Sequence, residues 1–399
     1  MGRFDRWRDP DIPDTFYILM LGRFVNLVGN SLVFPFMTIY LADRLHASMT
    51  VVGLVMTLYG LSQVVAQLIG GVLSDSWGRR PVMLLSLSVG ALCTLAVGLA
   101  PTPAFLIGAL VLMGLSVPLF QPASMAMVGD LVPQAKLTQA YSFMRMASNA
   151  GIIIGPMIGG FLANHSFLAV FGLDALSMAI YAVIIQLGVP HRKPRTSSVA
   201  PRGLLDVARD GPFLRFSLFW GLTGMVYAQL YQVVPAYLHL DLHDPTSTFG
   251  YLAAENALLV LVLQWPVARI AQRFKPPTLM AAGSLLYGLG FFTMLAGHTF
   301  AVFALSVFII TLGENVINPA ASTWVAHRAP EELRGRYMGL FGLANRTGSA
   351  LGPTVGGALL TAGATFWLSV VALGAGGVSL GFLRFGQQET RRQESSQAV

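Results

Sequence analysis

From residue 14 to residue 386 the chain is a succession of apolar runs, each close to the ~20 residues a helix needs to cross a hydrocarbon core, separated by short stretches marked with charge, Pro or Gly. Lipid offers the backbone no hydrogen bonds, so a segment that spans it must satisfy its own N–H and C=O groups, as a helix or within a closed barrel. The runs lack the alternation of barrel strands, which leaves a helical bundle. Twelve spans are predicted, near 14–41, 48–75, 82–101, 104–132, 138–164 and 167–188, then 213–239, 246–270, 277–298, 300–325, 335–362 and 364–386. Composition agrees, with 54% hydrophobic and only 11% charged residues, where soluble domains carry about a quarter charged.

A formal net charge of +7 could suggest nucleic acid as a partner, but the placement of the basic residues points elsewhere. With the N-terminus in the cytoplasm, Arg79, Arg80, Lys136, Arg192, Arg269, Arg273 and Arg328 fall on that side together with both basic tails, and of the outer loops only the first carries a basic residue, Arg44. The excess of Lys and Arg in inner loops sets orientation, so both termini are expected in the cytoplasm of an inner-membrane protein. The N-terminal MGRFDRWRDPDIPD is polar and does not read as a signal peptide. A single cysteine, Cys93, excludes an internal disulfide and a cysteine-based metal site.

The long polar stretch PHRKPRTSSVAPRGLLDVARDGP, 190–212, divides the spans six and six. It reads as a linker between an N-terminal bundle, 1–189, and a C-terminal bundle, 213–399. The halves echo each other at an offset near 197: GIIIGPMIGG at 151–160 returns as GSALGPTVGG at 348–357, and Pro122 returns as Pro319. Transporters are often built from such repeats. Gly151, Gly155 and Gly159 lie four apart, so they form a bare helical face on which another backbone can approach closely. Pro156 removes one hydrogen bond there, and Gly160 extends the motif. With Gly348, Gly352, Pro353, Gly356 and Gly357 they suggest two symmetry-related seams on which the halves could rock.

Twelve spans in two repeats, a basic central loop, GGVLSDSWGRR at 70–80 and the G-x3-G-P-x2-G-G pattern of the fifth span resemble the major facilitator superfamily, specifically its twelve-spanner drug:proton antiporters. The resemblance covers essentially the whole chain and implies two pseudo-symmetric six-helix bundles. The loop motif is matched at Gly71, Leu73, Asp75, Gly78, Arg79 and Arg80, with Ser76 where the family usually has a basic residue. In the family this loop latches the cytoplasmic side: its Asp faces the start of the eleventh helix, near Gly335 here, and its Arg pairs with an acid ending the fourth, which would be Asp130. Without such roles these charges would be surface pairs worth ~0–1 kcal/mol.

Charges inside the spans mark function most directly, because an ionisable group at mid-membrane costs on the order of 3 kcal/mol on insertion scales. Glu314 lies mid-way along the tenth span, on a polar stripe with Thr311, Asn315, Asn318 and Ser322. Removal from water disfavours a charged carboxyl, so Glu314 is a candidate to take up and release a proton. A structural ion pair with Arg346 of the eleventh span is the competing reading. Glu255 of the eighth span is a second proton-coupling candidate, and Asp174 of the sixth reads as a packing hydrogen bond. Arg23, Asn26 and Asn30 form a stripe on the first span, and Tyr227 and Tyr231 one on the seventh, with Gln232 beside them. The resemblance implies that helices 1, 4, 7 and 10 line a central cavity, which these stripes would face. Interhelical hydrogen bonding is the plain alternative for each Asn and Gln.

No G-x4-G-K-[ST] motif is present, so direct ATP use is not expected, and no catalytic motif marks the chain as an enzyme. His239, Asp241, His243 and Asp244 cluster after the seventh span but read as a solvated loop, and no metal or other cofactor is expected. The reading is a monomeric secondary transporter exporting lipophilic or cationic small molecules in exchange for protons. Export of a specific metabolite, sugar or lipid by the same fold is one alternative, and a non-transporting membrane sensor or scaffold is another.

Overall fold

The computed structural model describes residues 9, 11–190, 207, 209–330 and 333–397, the side chains at 138, 334, 335 and 390–397 excepted. Among the described residues every regular element is helical. Twelve long helices follow in order: α1 (Asp14–Leu45), α2 (Met49–Trp77), α3 (Arg79–Gly98), α4 (Pro103–Leu131), α5 (Leu137–Ala163), α6 (Phe167–Gly188), α7 (Gly211–Gln232), α8 (Thr246–Ala271), α9 (Pro276–Ala296), α10 (Phe300–Arg328), α11 (Arg334–Ala362) and α12 (Ala364–Gln397). Ten of the helices are long and apolar enough to cross a membrane. The other two are α7 and α11, which share hydrogen bonds across their contact. Gln229 Nε2 donates to Gly352 O at 3.0 Å, and Ser349 Oγ to Gly224 O at 3.2 Å.

Proline and polar caps punctuate the helices as the sequence suggests. Pro35 and Pro118 sit in short 3-10 turns within α1 and α4, and Pro156, Pro266, Pro319 and Pro353 lie inside α5, α8, α10 and α11. Thr102, Ser166 and Asp210 cap α4, α6 and α7 by accepting from main-chain N–H groups of the first turn. The seventh span ends earlier than predicted: α7 stops at Gln232, and a short Val234–Ala236 turn and a π-turn over Tyr237–Asp241 follow around Pro235. Most of the predicted linker, 190–212, lies outside the described residues.

The chain forms two compact units, Met1–Met37 with Leu61–Ser198 and Thr38–Gly60 with Val199–Val399. The division at 198/199 falls inside the predicted linker. Thr38–Gly60, expected in the N-terminal bundle, groups with the second unit, because Gly53 packs against the main chain at Pro353 and Thr57 Oγ1 donates to Ala350 O at 2.7 Å.

The glycine faces require a correction. They were expected as seams between residues 1–189 and 213–399; Gly151, Gly155, Gly159, Gly348, Gly352 and Gly356 pack within their own half, whereas Pro353 and Gly357 meet Gly53 and Met49 of α2. In the first unit α5 lies on α1: a Cβ at Gly151 would fall 2.9 Å from Leu27 Cβ, and one at Gly159 2.9 Å from Leu32 Cα. Gly155 faces Ser31 in the same way. In the second unit α11 lies on α7: Gly348 meets the Gly221 carbonyl, Gly352 meets Ala228, and Gly356 meets Gln229. Spacing reveals that a face is bare but not which helix fills it.

Candidate functional site

The second unit gathers a polar cluster around Glu314. The Thr311 to Glu314 spacing puts both side chains on the face of α10 that meets α8 and α7, while Gly313 and Ile317 pack against Gly283 of α9. Tyr227 Oη of α7 donates to Glu314 Oε2 at 2.9 Å, and Asn256 Nδ2 of α8 approaches the same oxygen at 3.2 Å. Asn256 Nδ2 also reaches Thr311 Oγ1 at 2.8 Å, and its Oδ1 accepts from Tyr231 Oη at 2.7 Å. The ring of Tyr287 on α9 lies 5.7 Å from that of Tyr227, which is 5.8 Å from that of Tyr231. The carboxyl is thus held by neutral donors and walled by tyrosines, and it stays half-buried.

The suggested Glu314–Arg346 pair is not formed: among the described residues the ion pairs are others, and Arg346 is exposed. Two more expected cavity residues turn inward to the packing. Asn315, 5% exposed, donates to the Thr311 carbonyl on its own helix, and Gln232, 7% exposed, approaches Ser349 O at 3.5 Å in the α7–α11 seam. Asn318 is exposed on α10. Glu255 is half-buried on α8 and, among the described residues, hydrogen-bonds to no member of the Glu314 cluster, which Asn256 faces instead. Tyr287 and Asn256, absent from the expected site, complete it; Asn256 follows a flagged acid, but Tyr287 sits in an apolar run that gives no signal.

In the first unit Arg23 is held by neutral groups. Its guanidinium donates to Gln121 Oε1 at 2.7 Å and to Ser148 Oγ at 3.3 Å, and lies 6.0 Å from the Phe120 ring centroid. Asn26 is buried and Asn30 half-buried on the same helix. Asp174 is buried against Gly29, and its Oδ1 lacks a hydrogen-bond partner among the described residues, so the expected packing hydrogen bond from its side chain is not made through that oxygen. Ser177 Oγ donates to its main-chain carbonyl instead.

The loop motif has defined geometry. Gly78, at φ 98°, turns the chain from α2 into α3 in a region that favours glycine. Arg79 then reaches back to Asp75 Oδ1 at 2.7 Å and to Ser74 O at 2.8 Å, with its Nε 3.3 Å from Asp130 Oδ2 at the end of α4. Arg80 donates to the Gln186 carbonyl at 2.6 Å. Gly71, on α2, faces open space. The partner expected for Asp75, around Gly335, lies outside the described side chains.

Sequence reasoning missed a second charged cluster. Asp210 caps α7 and accepts from Arg328 Nη2 at 2.8 Å, Arg328 Nε at 2.9 Å and Tyr337 Oη at 2.9 Å. Glu389 of α12 accepts from Trp324 Nε1 at 2.8 Å and lies 3.6 Å from Arg328. Partial burial pushes the Asp210 carboxyl up, but the donated hydrogen bonds outweigh it and hold the group below its ordinary value. The Asp-Gly-Pro sequence at 210–212 is a helix-start signal that could have flagged it.

Comparison with known proteins adds three kinds of match. The family model described as Major Facilitator Superfamily matches residues 19–276 and 233–398. Multidrug resistance protein MdtH of Yersinia enterocolitica is 30% identical over 354 residues, covering 88% of this chain and 87% of its own, and the MFS-type transporter YttB of Bacillus subtilis is 28% identical over 362 residues, covering 88% and 89%. A crystal structure of a POT family transporter in complex with 5-aminolevulinic acid superposes with a TM-score of 0.80 at 18% identity, covering 94% of this chain and 96% of that one. The nucleoside transporter NupG gives 0.78 at 16% identity, covering 94% and 99%.

Proposed function

The chain belongs to the Major Facilitator Superfamily and is a multi-pass membrane transporter, and from that premise we propose that it is a proton-coupled antiporter exporting lipophilic small molecules, with Glu314 as the coupling carboxyl. The observation that carries this reading is the environment of Glu314: an acid within a spanning helix, held at one oxygen by Tyr227 and Asn256, with no cation on it among the described residues. Such a group is a functional site by default. A proton on the carboxyl removes its negative charge and weakens the two charge-assisted hydrogen bonds that it accepts from Tyr227 and Asn256, both of which belong to helices other than α10. Protonation therefore changes the bonds between α7, α8 and α10, which is the link a coupled transporter needs between proton occupancy and helix arrangement. A proton moving down a 100 mV potential contributes ~2.3 kcal/mol to that cycle.

A role in drug resistance, and hence export, is suggested by the likeness to a relative named as a multidrug resistance protein, and an inner-membrane location with cytoplasmic termini is supported by the distribution of Lys and Arg. In that setting the Asp75–Arg79–Asp130 group is a cytoplasmic latch. The test is transport in proteoliposomes under an imposed pH gradient, wild type beside Glu314→Gln. The variant is expected to lose gradient-driven uptake while still binding the compound; full gradient-driven transport by Glu314→Gln overturns the assignment.

A further inference from the structure

Arg346 lies twelve residues into α11, counting from Arg334, about 18 Å along the helix at 1.5 Å per residue. That depth is beyond the reach of a side chain snorkelling from the helix end. Its face is fixed by what lies further along the helix. Ala350 receives Gly60 and the hydroxyl of Thr57, Pro353 receives Gly53, and Gly357 receives Met49. Arg346 precedes these three by four, seven and eleven positions, so it occupies the same face one turn before the packing on α2 begins. In the other direction Gly342 and Gly339, four and seven positions earlier, would each place a Cβ with nothing within 4 Å. The face of α11 that is closed by α2 from Ala350 onward is therefore open from Arg346 back, and Arg346 stands at the change.

Among the described residues no carboxylate pairs with Arg346, and it takes part in none of the hydrogen bonds of the α7–α11 seam. Arg23, the deep guanidinium of the first unit, differs: it is committed to Gln121 and Ser148. An intramembrane guanidinium without a counter-charge is costly unless something supplies one. Along α7, Ala344 and Gly348 of α11 are level with Gly221, and Tyr227, which holds Glu314, is six residues further on, about 9 Å at 1.5 Å per residue. The anion-seeking group and the caged carboxyl are thus offset along one helix by a length that a small amphiphile spans.

We propose that Arg346 is the anchor for an acidic group of the transported compound, and that the substrates of this protein are apolar molecules bearing a carboxylate. The assignment rests on the transport reading above and narrows its substrate class. A guanidinium recognises a carboxylate through two parallel N–H donors, and a charge-assisted contact of that kind changes affinity by about tenfold or more. A permanently cationic molecule of the same apolar body gains nothing from it.

The test uses two fluorescent probes that differ only at the carboxylate, rhodamine B and its ethyl ester, with the full-length chain purified in detergent and binding read by fluorescence anisotropy. Wild type is expected to bind both. Arg346→Gln is expected to weaken rhodamine B by about tenfold or more while leaving the ester within about twofold, and Arg346→Lys to recover part of the loss for rhodamine B alone. Retained ester binding shows that the variants are folded. Equal weakening of both probes, an unchanged affinity for rhodamine B, or a wild type that binds the ester alone overturns the role of Arg346 and leaves the transport reading standing. A wild type that neither binds nor moves either probe overturns both.

Discussion

Gly348→Ala is a minimal perturbation whose cost follows from the α7–α11 seam. The added Cβ would meet the Gly221 carbonyl oxygen and lie 2.6 Å from the carbonyl carbon and 2.9 Å from Cα. These are main-chain atoms within a helix, so no rotamer change relieves the contact. Restoring an ordinary carbon–carbon separation of ~3.5 Å requires the helices to part by about 1 Å. That stretches the bonds crossing the seam, Ser349 Oγ to Gly224 O at 3.2 Å and Gln229 Nε2 to Gly352 O at 3.0 Å. Overpacking costs about 1–3 kcal/mol and each weakened bond adds about 0.6, against about 1 kcal/mol gained because alanine is the better helix former. The net is a loss of about 1–3 kcal/mol. Gly374→Ala on α12 is the internal control, since a Cβ there meets nothing within 4 Å and only the helix-propensity gain of up to ~1 kcal/mol remains. The single cysteine, Cys93, is buried and gives the assay: its reaction with a thiol-activated dye on heating in detergent reports an apparent melting temperature. Gly348→Ala should melt below wild type and Gly374→Ala at or above it. A Gly348→Ala protein as stable as wild type would refute close backbone packing as the basis of the seam.

Tyr227→Phe removes the 2.9 Å donor to Glu314 and keeps the ring packing on Tyr231 and Tyr287. With one hydrogen bond to a charged group lost, worth about 1.5–3 kcal/mol, gradient-driven transport should fall by about tenfold or more while the melting temperature moves little; transport at the wild-type rate would remove Tyr227 from the mechanism. Asp210 supplies a pH prediction. Its folded-state carboxyl is held below the ordinary 3.8, so its stabilising bonds are fully present above that value and are lost as pH falls through the lower folded value. Asp210→Asn should therefore melt below wild type at pH 7, with the gap constant down to about pH 4 and closing beneath it. A gap that closes between pH 7 and pH 5 would assign the effect to another group.

Span count and helical class were legible because lipid makes backbone self-satisfaction compulsory and apolar length visible. The stripe through Thr311 and Glu314 was legible for the same reason that any i, i+3 pattern is, since the helix period assigns a face. The partner of that face was not. Arg346 matched Glu314 by depth and charge, yet Tyr227 and Asn256 occupy the carboxyl, because which helices meet depends on close approaches such as Gly283 on Gly313 that pull α9 and α10 together. Asn315 and Gln232 show a second limit. A polar side chain on a stripe can as readily bond a nearby carbonyl as face a cavity, and both do so, to Thr311 O and Ser349 O. Tyr287 was hidden in an apolar run, where a phenol counts as one more aromatic residue.

Each unit carries a deep charge solvated by neutral dipoles instead of a counter-ion. In the first it is Arg23, with Gln121, Ser148 and the Phe120 ring; in the second it is Glu314, with Tyr227 and Asn256. A buried pair of opposite charges would be stable and closed to newcomers, because opening it leaves both partners uncompensated at a cost of about 3–5 kcal/mol. Hydrogen-bond solvation satisfies directional valence without cancelling charge. It therefore keeps each group tolerable in lipid and still responsive to an arriving ion, which for Glu314 is a proton in the mechanism proposed above. Arg346 carries this principle to its limit: among the described residues it has neither a counter-ion nor a place in the seam's hydrogen bonds, so the proposed substrate carboxylate would balance its charge at the smallest cost in existing contacts.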